Sequence, residues 1–319
     1  MAPVLLCLAL AMDFQRTIRK PVTMEGVGLH SGERVRLTIS PAAADTGILF
    51  RASDGTFIPA SVDHVVDSNS ATTIGAFGMR VRTVEHLMAA AAGLGIDNLL
   101  ADVDAEEVPA ADGSAKPFVE LLQAAGRATL PAPRKPLVVE EPVRVGDEKR
   151  WLEILPADSF RISYTLDNSH PAIGLQVGTF AVDEQVFVDE LAPARTYGFL
   201  KDVGAMRQRG LARGGSLDNA IVVGKRTVLN DSLRFADEFM RHKVLDLVGD
   251  LFLLGRPLLG HVIGRNAGHA LNYQLVAAVQ KAASAERRRA RARAVAEATT
   301  LRAEPAVGGE GFVPGIAAL

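Results

Sequence analysis

The chain has 319 residues, 48% apolar and 23% charged, a globular composition that excludes disorder as the state of the whole chain. Its 35 Lys and Arg against 37 Asp and Glu leave a net charge of -2, so no global field draws it to nucleic acid or an anionic surface. The one cysteine, Cys7, excludes an internal disulfide and a thiolate zinc cluster, and any metal has to be held by imidazole, carboxylate and water.

Residues 1–12, MAPVLLCLALAM, are apolar. A spanning helix needs about 20 such residues, and an export signal needs a cationic region before its apolar run, whereas the first basic residue here, Arg16, follows it. Val4-Leu5-Leu6-Cys7 resembles a lipoprotein box but again lacks a cationic stretch ahead of it. Residues 1–11 therefore read as a start-site extension with Met12 opening the chain proper, and the expected location is cytoplasmic and reducing.

Arg34 to Ile39 alternates apolar and polar residues, the period of a half-buried strand. Two helices follow, one from about Thr83 to Ala92 with Gly93 as its stop, the other from an N-cap at Ser114 to Gly126. In the second helix Phe118, Leu121, Leu122 and Ala125 recur at i, i+3, i+4 and i+7. Three prolines between Pro131 and Pro136 continue neither element, so residues 131–136 are the expected linker between a first domain, 12–130, and a second, 137–286.

Strand-like runs then cover Leu137 to Val145, Trp151 to Leu155 and Arg161 to Leu166, followed by a long helix from about Asp237 to Leu254 and another from near Ala270. Strands followed by helices in each half predict an α+β class of two layered domains rather than one doubly wound sheet. Residues 287–319 read as a basic helix end and a frayed tail. Its arginines have no interleaved aromatics, which argues against nucleic acid.

The long helix carries the chemistry. At about 100° per residue, Met240, Val244, Leu247, Val248 and Leu251 share one arc, and His242, Lys243, Asp246 and Asp250 share another. His242 and Asp246 stand at i and i+4, where two side chains reach one ion, although the same spacing also makes an ordinary surface ion pair. In the first helix, Glu85 and His86 interrupt a small, apolar run, which implies burial. A core histidine beside a carboxylate that complements the helix dipole is one reading. The other joins His86 to His242 and Asp246 as two imidazoles and one carboxylate with a fourth position open, the make-up of a catalytic zinc site, with Glu85 placed to take a proton. His269, after Gly268 at a helix start, is either without a role or a proton donor held cationic by Asp250. His64, His170 and His261 read as structural, and Gly26 to Gly32 lacks dinucleotide-binding spacing.

Seven strings between about Gln15 and Val279 occur together: QRTI with GVGLHSG, TVEHLMAAAAGLGIDN, DGSAKPFV, ARTYGF, GGSLDNAIVV, LRFADEFMRHKVLDLVGDL and GHALN. In these the chain resembles the UDP-3-O-acyl-N-acetylglucosamine deacetylase family, zinc amidases of lipid A synthesis in Gram-negative bacteria. The resemblance implies two ββαα sandwich domains with the active site at their interface. It implies one Zn²⁺ on His86, His242 and Asp246, with Glu85 as general base and His269 as general acid oriented by Asp250. Thr196 would hydrogen-bond the oxyanion and Lys243 would add positive charge.

For substrate, the resemblance implies a uracil stack on Phe160, an aromatic wall at Tyr197 where relatives often have Phe, and contacts from His30, Gly215 and Ser216. Arg265 would meet the diphosphate, beside Asn266 where some relatives have lysine. An insert, about 198–226, would form an acyl passage with Phe199, Leu200, Val203, Met206 and Leu211. The implied reaction is hydrolysis of the 2-acetamido group, releasing acetate, by a monomer with transient membrane proximity. An apolar end, Gly315 to Leu319, suggests a degradation signal for a regulatory protease. Two other readings remain: an Fe(II) facial-triad oxygenase, and a non-catalytic binding module whose polar helix face is solvated.

Overall fold

The computed structural model describes residues 13–303, with side chains of part of the segment after Ala285 excepted. The expectations for residues 1–11 and for Gly315 to Leu319 fall outside the described residues. The first half runs β1 (Phe14–Ile18), β2 (Val22–Val27), β3 (Arg34–Pro41), β4 (Ile48–Arg51), β5 (Phe57–Pro59), β6 (Val65–Asp67), β7 (Thr73–Ala76), β8 (Met79–Arg82), α1 (Glu85–Gly93), β9 (Leu99–Val103), α2 (Lys116–Ala125) and β10 (Arg127–Pro133). The second runs β11 (Leu137–Val138), β12 (Val143–Gly146), β13 (Trp151–Leu155), β14 (Phe160–Asn168), β15 (Gly174–Ala181), α3 (Glu184–Val186), β16 (Tyr197–Phe199), α4 (Leu200–Gln208), β17 (Ile221–Val223), α5 (Glu238–Leu251), β18 (Leu258–Arg265) and α6 (His269–Ala303). This is the expected α+β class.

Each half carries a main sheet. In the first the order is β2-β3-β9-β4-β5, with β6-β7-β8 as a separate three-stranded sheet. In the second it is β12-β13-β18-β14-β15, with β11 added beside β18. Alternation does the sorting: Val35, Leu37 and Ile39 of β3 are buried while Arg34 and Arg36 are exposed, as the sequence pattern requires. The described residues through Val279 group as one compact unit, and those from Gln280 onward, the later part of α6, form a second.

Two local expectations are corrected. Pro131 and Pro133 do continue an element: they lie in β10, paired antiparallel to β1. That ribbon has only two strands, so β10 has a free edge on which a missing N–H costs no ladder bond. The run from Leu137 to Val145 is two strands, because Pro142 interrupts it and the parts join different partners, β11 parallel to β18 and β12 antiparallel to β13.

Helices α1 and α5 pack against each other and position the site. α1 is buried from Glu85 to Ala91, and α5 is buried on both its arcs, including His242, Asp246 and Asp250. The polar arc of α5 is thus not solvated, which removes the ground for a bare binding module. The close approach depends on Gly249, where an added Cβ would stand 2.1 Å from the Glu85 carbonyl oxygen. Gly249→Ala is therefore expected to lower unfolding stability by about 1–3 kcal/mol through overpacking. A urea midpoint equal to that of the wild type would refute this.

Candidate active site

The approach of α1 to α5 brings His86 to the pair on α5. Asp246 Oδ1 lies 3.3 Å from His242 Nε2 and 3.6 Å from His86 Nε2, and all three residues are buried. Among the described residues this is the one His, Cys, Asp and Glu group whose donor atoms converge, all within 4.8 Å of one another. The imidazole rings meet edge to face at 5.2 Å.

These residues fit a divalent metal. Asp246 Oδ1 is buried and accepts no hydrogen bond, a costly state for a carboxylate oxygen unless a cation takes it up. The Ala194 carbonyl accepts from His242 Nδ1 at 3.1 Å, which leaves Nε2 with a lone pair turned to Asp246. Burial pushes His242 down to about 3 against the pull of Asp246, so the ring is neutral. Burial disfavours charge on Asp246 too, yet the cationic Lys243 and His269 hold its carboxyl well below the usual range. Lys243 Nζ donates to Asp246 Oδ2 at 2.8 Å and stays protonated, because Asp246 outweighs the cost of its burial.

Beside this cluster stand a carboxylate and an imidazole. Glu85 Oε1 is 3.8 Å from His269 Nε2, and burial pushes the Glu85 carboxyl up against the pull of His269 and His86. His269 Nδ1 donates to Asp250 Oδ2 at 2.8 Å. Burial opposes protonation of His269, but Asp250, Asp246 and Glu85 prevail and raise it to about 9, so it is cationic at neutral pH. The arrangement therefore holds a carboxylate able to accept a proton and an imidazolium able to give one, side by side.

Both face a cavity of about 540 Å³. Of the residues expected from the sequence, Glu85, His86, Thr196, His242, Lys243, Asp246 and His269 line it, as do His30, Tyr197, Phe199, Met206, Gly215 and Ser216. Asp250 lies behind His269, buried. Four expected substrate contacts are not brought there. Phe160 lines a separate cavity of about 410 Å³ with Arg16, Arg134 and Arg256. Leu200 is 51% exposed on the outer side of α4. Leu211 does not reach the cavity wall, and Arg265 is half-buried and paired with Asp167, while Asn266 and Arg150 line the cavity instead. His64, His170 and His261 bond to Ser61, Gly224 and Ser163, away from the cluster.

Four further buried residues in or near the site were not among those expected to act there. Glu107 accepts from the backbone of His30 and Ser31 and from the Thr83 hydroxyl, so it holds the turn that presents His30. Thr83 itself has a φ of 57°, strained for a β-branched residue and fixed by that bond. Asn272 Nδ2 donates to Asp250 Oδ2 at 2.8 Å, and the Thr72 hydroxyl donates to Asp250 Oδ1 at 2.5 Å. Thr83, the first residue of TVEHLMAAAAGLGIDN, and Asn272, the last of GHALN, lay in strings the sequence singled out; Glu107 and Thr72 did not.

The sequence pattern of the LpxC family, UDP-3-O-acyl N-acetylglycosamine deacetylase, matches residues 15–281. The chain belongs to this family. It is 51% identical over 266 residues to the UDP-3-O-acyl-N-acetylglucosamine deacetylase of Myxococcus xanthus, a match over 82% of this chain and 85% of that one. Against the protein of the same name from Syntrophotalea carbinolica it is 48% identical, over 83% and 87%. Against that of Anaeromyxobacter dehalogenans it is 48% identical over 292 residues, 91% and 94% of the two chains. The deacetylase family is one of hydrolytic metalloenzymes acting on an amide, and in this member the converging donors are His86, His242 and Asp246.

Proposed function

We infer that the chain hydrolyses the 2-acetamido group of UDP-3-O-acyl-N-acetylglucosamine, releasing acetate and leaving the free amine on the sugar nucleotide, a step of lipid A synthesis. The observation that carries this reading is the buried His86, His242 and Asp246 cluster with Glu85 and His269 beside it on one cavity wall. A zinc ion on that trio would supply Lewis acidity toward the amide oxygen and acidify water near neutral pH.

The protein's own groups do the rest. Glu85 Oε1 accepts the proton of the attacking water as the C–O bond forms. Lys243 and Thr196 supply positive charge and a hydroxyl donor toward the amide oxygen as it becomes anionic. His269 Nε2–H then protonates the leaving nitrogen as the C–N bond breaks, while Asp250 accepts from Nδ1 and fixes the ring. Tyr197, Phe199, Val203 and Met206 form the apolar part of the cavity, suited to the acyl chain. Each methylene removed from that chain within the cavity is expected to cost about 0.8 kcal/mol, roughly fourfold in KM. A KM that does not change along an acyl-length series would exclude these residues as the passage.

The test of the reading is acetate release from the acylated sugar nucleotide, without dioxygen and with or without a chelator. Chelator-sensitive acetate formation under anaerobic conditions supports it; turnover that requires dioxygen would point to facial-triad oxygenase chemistry instead. We extend the reading to a cytoplasmic monomer that approaches a membrane surface for its acylated substrate. Among the described residues no helix is long and apolar enough to cross a membrane.

A further inference from the structure

We propose that Thr72 is a positioning residue that sets the proton acceptor and the proton donor of this site relative to each other. The proposal rests on the roles of Glu85 and His269 inferred above. Thr72 is buried at the end of the turn that leads into β7, and it stands between α1, which carries Glu85, and α5, which carries Asp250, the partner of His269. Its backbone N–H donates to Glu85 Oε2 at 3.1 Å. Its carbonyl accepts from the Val84 N–H at 3.3 Å, at the start of α1. Its hydroxyl donates to Asp250 Oδ1 at 2.5 Å on α5.

The consequence follows from counting donors. A carboxylate only accepts, and Asp250 is buried, so each oxygen needs a donor. Oδ2 takes His269 Nδ1 and Asn272 Nδ2, both at 2.8 Å, and Oδ1 takes the Thr72 hydroxyl. Without that hydroxyl Oδ1 is left unsatisfied, and the carboxylate gains by rotating, which breaks its alignment with the His269 ring. In the same way, pinning Glu85 Oε2 leaves Oε1 as the oxygen turned toward His269 Nε2. Thr72 thus places one donor on each of two buried carboxylates that would otherwise repel, and commits the free face of each to the reaction. The β-branch restricts the side chain to few rotamers, so the hydroxyl direction is built in.

Thr72→Val keeps the shape and the backbone N–H but removes the hydroxyl; Thr72→Ser keeps the hydroxyl. Thr72→Val is expected to lower kcat about 10- to 100-fold, the usual effect of losing a partner one shell out, with KM and metal content unchanged. It should also shift the downfield proton resonance of His269 Nδ1–H, assigned by its loss in His269→Gln and read in both metal-free and metal-loaded protein. Thr72→Ser should restore both kcat and the resonance. Wild-type kcat and an unmoved resonance in Thr72→Val would overturn the proposal. So would equal impairment of both variants together with lowered melting temperatures, which is what a purely structural role produces. If the wild type releases no acetate, the functional reading fails instead, and the resonance still decides whether Thr72 aligns Asp250 and His269.

Discussion

Glu85→Gln is expected to lower kcat by about two to four orders of magnitude, the range for loss of a positioned general base. Gln preserves size and can still accept from the Thr72 N–H through its carbonyl oxygen, so the fold around α1 should persist. What it loses is the ability to take a proton at Oε1, the atom 3.8 Å from His269 Nε2. His269→Gln should cause a loss of similar size from the donor side. Because the two groups act on one reaction coordinate, the double variant should be little worse than either single one. Steady-state turnover with metal content measured in parallel checks this. Near wild-type kcat in either single variant, or fully additive losses, would remove that residue from its role.

His242→Ala should abolish stoichiometric metal binding and, with it, the response of stability to metal. A ligand that binds only the folded state contributes about 4.1 kcal/mol when present at about 1,000 times its Kd. Wild-type protein should therefore melt several degrees lower after chelation, whereas His242→Ala should melt at the same temperature with and without chelator. The variant also frees the Ala194 carbonyl, so some loss of stability independent of metal is expected. An unchanged metal content would take His242 out of the ligand set, and a chelation shift retained in the variant would place the stabilising ion elsewhere.

The parts of this site that could be read from the sequence are those with a short-range pattern. His242 and Asp246 lie one turn apart, and the Glu85-His86 pair breaks an apolar run, so both carry their signal locally. Helix boundaries were legible for the same reason: Gly255, with a φ of 70°, ends the turn after α5 one residue beyond the expected helix end at Leu254. Thr72, Glu107 and the Ala194 carbonyl were not legible, because each acts on a residue far along the chain. The Thr72 to Asp250 bond spans 178 positions and leaves no periodicity behind. The strand through Pro131 and Pro133 was hidden because proline forbids a central strand but not an edge, and which one applies depends on partners. Phe160, whose expected role came from the resemblance alone, borders a different cavity from the His86, His242 and Asp246 cluster.

The three residues that would hold a metal are divided along the chain, His86 on α1 and the other two on α5. This separation orders events during synthesis. At about 5–20 residues per second, the roughly 160 residues between His86 and Asp246 take about 8–30 s to emerge, during which His86 lacks the two donors on α5. A nascent first half would therefore gain little from an ion, and capture of a metal by all three residues would have to follow the docking of α5 on α1. An ion held by these three residues would thus act as a latch on a finished molecule rather than as a nucleus for an unfinished one. A cell short of metal should accumulate folded but inactive chain rather than misfolded fragments.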